Sequence, residues 1–245
     1  MACSSVWTDN TDKVKSIYMG VQTMTKDWKS EREAKILLIG HDPRLQESDS
    51  LAEYCLFADY YFKPKPLDSA ERRKYKVAET AFKHIAYVTK DNIRPKEVYI
   101  TNLCNEALDH PPKGKTAFIP LENAAAGIRN IRRILTENSS IQFVFPMSLQ
   151  VNYWLQELGF YGSDNDFLRH SEPKQRGIDN KPSYYEPFKN RAFTIICGKQ
   201  YKINEGQQIV IPILHSKNFP LRGRLIATYG KSYERVRQYF AGNTF

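Results

Sequence analysis

Residues 35–40 read Lys-Ile-Leu-Leu-Ile-Gly, an apolar run closed by a glycine, and His41, Asp42, Pro43 and Arg44 follow it directly. Unbroken hydrophobicity in a short run bounded by turn residues is the pattern of a strand buried on both faces. Four more such runs follow: Glu97–Leu103 (EVYITNL), Ile141–Phe145 (IQFVF), Ala192–Gly198 (AFTIICG) and Gln207–Leu214 (QQIVIPIL). Helical periodicity separates the first three, over Ala70–Thr89 and Glu122–Glu137, so strands and helices alternate as in crossover units. Further helices are expected over Asp12–Thr25, Leu149–Leu158 and Tyr229–Tyr239. The polar segment Tyr161–Lys189, rich in Asp, Asn, Pro and Lys, reads as a long surface excursion. The expected architecture is α/β: a three-layer αβα sandwich around a central, mostly parallel sheet of about four to five strands, forming one domain over residues 1–245.

Composition narrows the function classes. Apolar residues make up 41% and charged residues 26% of the 245, ordinary usage for a folded chain. Thirty-six Lys and Arg against 27 Asp and Glu leave a formal charge of +9. That balance favours anionic partners, nucleic acid first, although a solvated basic surface fits it equally well. Cys3, Cys55, Cys104 and Cys197 form no CxxC pair, so no zinc ribbon or thioredoxin-type site is written here and reduced thiols are expected. The N-terminus lacks the apolar stretch of a signal peptide and no run approaches a membrane span, which points to a cytosolic protein with no membrane partner.

In open α/β sheets, ligands bind beyond the carboxyl ends of the strands. Three strand ends carry chemistry. The first runs into Gly40-His41-Asp42-Pro43-Arg44, where glycine permits close approach of another group and proline fixes the turn, so that Asp42 projects into the crevice or caps the turn. The second ends at Asn102, whose amide offers a donor and an acceptor to a nucleobase edge, or satisfies loop backbone. The last ends at His215, able to donate to a developing anion or shuttle a proton, or to serve structure alone.

GHDPR at 40–44, an aromatic stretch, TNL at 101–103 and His215-Ser216 after the last strand together resemble the uracil-DNA glycosylase superfamily, over Ile36 to Arg224. Asp42, Asn102 and His215 are 60 and then 113 residues apart, room for the intervening crossovers. The resemblance implies a DNA glycosylase of base excision repair, acting without metal or redox cofactor on uracil or a related damaged base. The target nucleotide would be flipped into a pocket between the motifs. Asp42 would position the attacking water, Asn102 would select uracil over cytosine, and Phe57 in LAEYCLFADYYF would stack on the base, with Tyr54 and Phe62 as alternatives. His215 would stabilise the departing base. His41 stands where the best-known family has glutamine and is placed with the base-binding residues. Arg44 replaces a tyrosine that blocks the thymine methyl, a task Tyr54, Tyr60 or Tyr61 could take over. Ser216-Lys217 replace Pro-Ser, and the clustered cysteines of iron–sulfur members are absent.

After His215, the stretch Lys217–Arg224 mixes cations with apolar side chains, as a loop entering the minor groove does, or an ordinary surface turn. Arg44, Ser216, Lys217, Leu221 and Arg222 are the expected DNA contacts, with Leu221 as a wedge. The basic stretches Glu71–Lys76 and Arg129–Arg133 read as solvated helix faces, with phosphate contact the alternative. His84, His110 and His170 take no role. A monomer is expected. Two rival readings stand beside the glycosylase: a nucleic-acid-binding protein that keeps the fold without catalysis, and a nucleotide-dependent transferase, against which the absence of GxGxxG and GxxxxGK[ST] counts.

Overall fold

The computed structural model describes residues 24–29, 33–41, 53–106, 108, 116–176, 184–187 and 191–243. Its centre is β1 (Ile36–Gly40), buried along its whole length. Parallel neighbours flank it: β2 (Val98–Asn102), with Gly40 opposite Asn102, and β4 (Phe143–Pro146), with Ile39 opposite Pro146. A strand with partners on both sides and helices on both faces has no polar face to show, which is why ILLIG reads without alternation. The other strands are β3 (Thr116–Ala117), β5 (Pro173–Arg176), β6 (Tyr184–Pro187), β7 (Tyr201–Ile203) and β8 (Gln208–Val210). The five-stranded sheet runs β2-β1-β4-β8-β7, parallel except for the antiparallel edge strand β7. Six helices are described: α1 (Ala58–Phe62), α2 (Ser69–Thr89), α3 (Leu121–Glu137), α4 (Leu149–Glu157), α5 (Asn165–Ser171) and α6 (Arg224–Ala241). The α/β class and three-layer sandwich are as expected: α2 and α6 pack together, as do α3, α4 and α5 in sequence.

Four expectations change. Ala192–Gly198 is not a strand but a 3-10 helix over Ala192–Ile195 followed by a turn. Ala192, Phe193, Ile196 and Cys197 are buried while Thr194 is exposed, a spacing of three to four rather than two. Its place in the sheet falls to Tyr201–Ile203. Within the Tyr161–Lys189 excursion lie α5, capped by Asp164 accepting from the Phe167 N–H at 3.1 Å, and the β5–β6 hairpin, which joins β3 in a second sheet. The final helix starts at Arg224, five residues before Tyr229. Met24 and Thr25, expected at the end of a helix, are extended: Met24 pairs with Glu106 and Trp28 with Ile100, both antiparallel, along the outer edge of β2. Residues 12–23 of that expected helix lie outside the described residues.

The last parallel strand outlasts its regular part. Pro212 has no N–H to give, yet Ile211 N–H donates to Val144 O at 2.9 Å and Ile213 N–H to Pro146 O at 3.1 Å, carrying the chain to the sheet edge opposite Met147.

Candidate active site at the carboxyl edge of the sheet

Strand order and register decide what shares this edge. Reading across β2, β1, β4 and β8, the chain leaves the sheet at Asn102, at Gly40-His41, at Met147-Ser148 and at Leu214-His215. Strands lie about 4.8 Å apart, so Asn102 and His215 are separated by three steps, roughly 14 Å. Asp42 and Arg44 lie outside the described residues.

Asn102 is 3% exposed, and its Oδ1 has no hydrogen-bond partner among the described residues. It lies against Gly40: a Cβ there would overlap Oδ1 directly. The group whose close approach Gly40 permits is therefore the Asn102 amide of the neighbouring strand. A buried acceptor without a donor costs about 1–3 kcal/mol, so this oxygen is an unmet demand for an N–H.

His41 is buried and committed. Gln150, at the start of α4, accepts from Ile119 N–H at 2.7 Å through Oε1 and donates to Ala117 O at 2.8 Å through Nε2. Those partners fix the amide orientation, so the same Nε2 donates to His41 Nε2 at 2.6 Å and the imidazole proton sits on Nδ1. The Nε2 edge of this ring is thereby used within the fold.

His215 is half-buried. Its Nδ1 accepts from Lys217 N–H at 3.1 Å in the 3-10 turn Ser216–Asn218. An accepting Nδ1 holds the ring in the neutral tautomer with the proton on Nε2, a donor rather than a base. A buried triad supports the loop from below. Leu214 N–H donates to Tyr233 Oη at 3.0 Å, and Tyr233 Oη shares a hydrogen bond of 2.8 Å with His84 Nε2. Burial pushes the Tyr233 phenol well above its ordinary range, and burial with His215 nearby pushes His84 down to about 3, so both stay neutral. The His84 ring also stacks on Phe219 at 5.0 Å and 16°. His84, given no role above, thus ties α2, α6 and the His215 loop together; its place on the buried stripe Ala81, Ile85, Val88 of α2 is the signal that could have found it.

Phe57 ends the 3-10 turn Cys55–Phe57, and it and Leu56 both have left-handed backbone, φ 55° and 54°. Two consecutive left-handed residues with Cβ atoms are strained; burial of Cys55 and Ala58 on either side holds them there. Among the candidate stacking rings, Phe62 is stacked on Trp28 (5.3 Å, 9°), Tyr54 meets Trp28 edge-on (5.4 Å, 87°), and Phe57 makes an edge contact to Tyr60 (6.2 Å, 76°). Of the expected DNA contacts, Lys217 and Arg222 are exposed, Ser216 is buried, and Leu221 is half-buried against the core instead of standing into solvent.

A cavity of about 770 Å³ opens beyond the outer edge of β2 and shares Asn102 and Tyr54 with these candidates. Its polar centre is Asp27, a residue the sequence did not mark. Asp27 Oδ1 accepts from Thr101 Oγ1 at 2.6 Å and Asn105 Nδ2 at 2.9 Å, and Oδ2 from Asn130 Nδ2 at 3.3 Å. Each partner comes from β2, its following loop or α3, so the carboxylate fastens residues 24–28 to the sheet. The volume is large, but the chemistry of the strand ends lies on the other side of β2. Buried thiols are equally quiet: burial raises the Cys55 thiol and pushes Cys197 up to about 12.

No protein-family model matches the chain, and no curated protein matches it.

Proposed function

We propose that the carboxyl edge of the sheet is a base-excision site, at which the chain hydrolyses the N-glycosidic bond of uracil or a related damaged base in DNA. The observation that carries this reading is the buried Oδ1 of Asn102, which no donor among the described residues meets. Uracil presents an N3–H donor beside the O4 acceptor, so an Asn amide meets both with Oδ1 accepting and Nδ2 donating; cytosine presents the opposite pattern. The His215 tautomer fits the same chemistry. A neutral imidazole with its proton on Nε2 stabilises the anionic base as the C1′–N1 bond breaks, by a preorganised hydrogen bond at O2. The attacking water, positioned by Asp42, delivers its oxygen to C1′ and its proton to the carboxylate, while the electron pair of the broken bond leaves on N1. Phe57 offers a ring face to the flipped base. The resemblance in GHDPR, TNL and His215-Ser216 supports the reading.

The test uses 5′-labelled single- and double-stranded oligonucleotides with one uracil, followed by alkaline cleavage. Scission by the wild type that collapses in Asp42→Asn and His215→Ala is expected. Bound but uncut DNA at enzyme excess would remove catalysis and leave a binding protein.

A further inference from the structure

The corner between α1 and α2 gathers cations that carboxylates do not neutralise. From Lys63 to Lys76 the sequence holds six, Lys63, Lys65, Arg72, Arg73, Lys74 and Lys76, against Asp68 and Glu71. Both acids are engaged in the capping box of α2, where Asp68 Oδ1 accepts from Glu71 N–H at 2.8 Å and Glu71 Oε2 from Asp68 N–H at 3.2 Å. Glu71 also pairs with Lys63 at 3.4 Å. Nearby Asp59 is half-buried, and burial raises its carboxyl. Among the described residues, no carboxylate lies within salt-bridge distance of the other five cations. On other faces, Lys83, Arg133, Arg169, Lys199 and Arg237 each pair with an acid.

Aromatic rings hold several of these ammonium groups. Lys74 Nζ lies 5.0 Å from the Tyr60 ring centre, 5.8 Å from that of Phe57, and donates to Tyr60 Oη at 3.2 Å. Lys63 Nζ lies 3.7 Å over Tyr60, and Lys65 Nζ 4.9 Å over Tyr75, which is itself stacked on Tyr61. A ring orients an ammonium without cancelling its charge. The result is a row of positioned positive charges that starts at Phe57.

We propose that this corner binds the phosphate backbone of the nucleic-acid strand that carries the target nucleotide, on the side where that strand leaves the crevice past Phe57. The inference rests on the base-excision reading for the direction of the strand, and on charge and geometry for the contact itself. Single-stranded DNA is the ligand that fits: its phosphates match the unneutralised cations, and recognition is independent of sequence.

Fluorescence anisotropy with labelled dT20, which contains no excisable base, tests the contact separately from catalysis. The variant Lys65→Ala/Arg73→Ala/Lys74→Ala should bind dT20 about tenfold or more weakly at low salt. The slope of log affinity against log salt should flatten by about 2, since each single-strand phosphate contact contributes about 0.7. A control of equal charge change, Arg169→Ala/Lys199→Ala/Arg237→Ala, should bind within about twofold of the wild type. Thermal melting confirms that both variants fold. Equal weakening by the two triples would reduce the effect to net charge and overturn the proposal, as would an unchanged slope in the first. Competition by poly-glutamate as effective as that of dT20 would assign the surface to an acidic polypeptide and overturn it too. Slope loss without any uracil release would sink the excision reading and keep the platform; uracil release with an unchanged slope would do the opposite.

Discussion

Thr101 and Asn102 are consecutive residues of one strand, yet the polar clusters they belong to differ in kind. Thr101 serves Asp27, whose carboxylate is met by Thr101, Asn105 and Asn130 at 2.6 to 3.3 Å. Asn102 lies across from Gly40, with an amide oxygen that no donor among the described residues meets. Consecutive strand residues point to opposite faces, so β2 carries a finished cluster on one side and an unfinished one on the other. Completeness, more than polarity or cavity volume, separates a group that holds the fold from one that waits for a ligand.

Substitutions sharpen this contrast. His215→Ala should lower base release by about 10²- to 10³-fold, the loss typical of one preorganised donor, while leaving the melting temperature nearly unchanged; single-turnover kinetics and calorimetry together check it. Asp27→Ala should do the reverse. It leaves three donors unmatched and detaches residues 24–28, costing about 3 kcal/mol, or roughly 5–10 °C in melting temperature for a chain of this size. Asn102→Ala removes an unmatched acceptor, so stability should stay within about 1 kcal/mol of the wild type while uracil release falls about 10²-fold. If instead Asn102→Ala melted the protein and Asp27→Ala abolished release without destabilising it, the two faces would have been assigned the wrong way round.

The smallest effect concerns the support beneath His215. Burial holds His84 at about 3, below the ordinary 6.5. The unfolded chain therefore takes up the proton first as pH falls, and the contribution of a neutral His84 is complete above about pH 6.5 and is lost progressively toward pH 3. The slope from this one group is at most about 1.4 kcal/mol per pH unit. Urea denaturation between pH 7 and pH 4 should show it, and His84→Phe should flatten it.

The βαβαβ core was legible because β1, β2 and β4 are buried on both faces and say so in composition. The edges were not. β7 has exposed Lys202 at its centre, and residues 24–28 alternate too briefly to stand out from a polar segment. AFTIICG misled because apolar content, without its spacing of burial, does not separate a strand from a buried helical turn. At the site, Asn102 and His215 followed from the rule that strand ends line the crevice. The engagement of His41 by Gln150, 109 positions away, left no local trace. Neither did Asp27, a single carboxylate whose partners are 74 to 103 positions distant.

The central claim is that the unmet amide at the end of β2 takes the edge of a uracil. Quantifying free uracil liberated from a single-stranded oligonucleotide, under enzyme excess, by wild type and Asn102→Ala side by side tests it most directly. The account predicts release by the wild type, a drop of about 10²-fold in the variant, and equal melting temperatures. Release unaffected by the substitution, or none from a wild type that binds the same oligonucleotide, would contradict it.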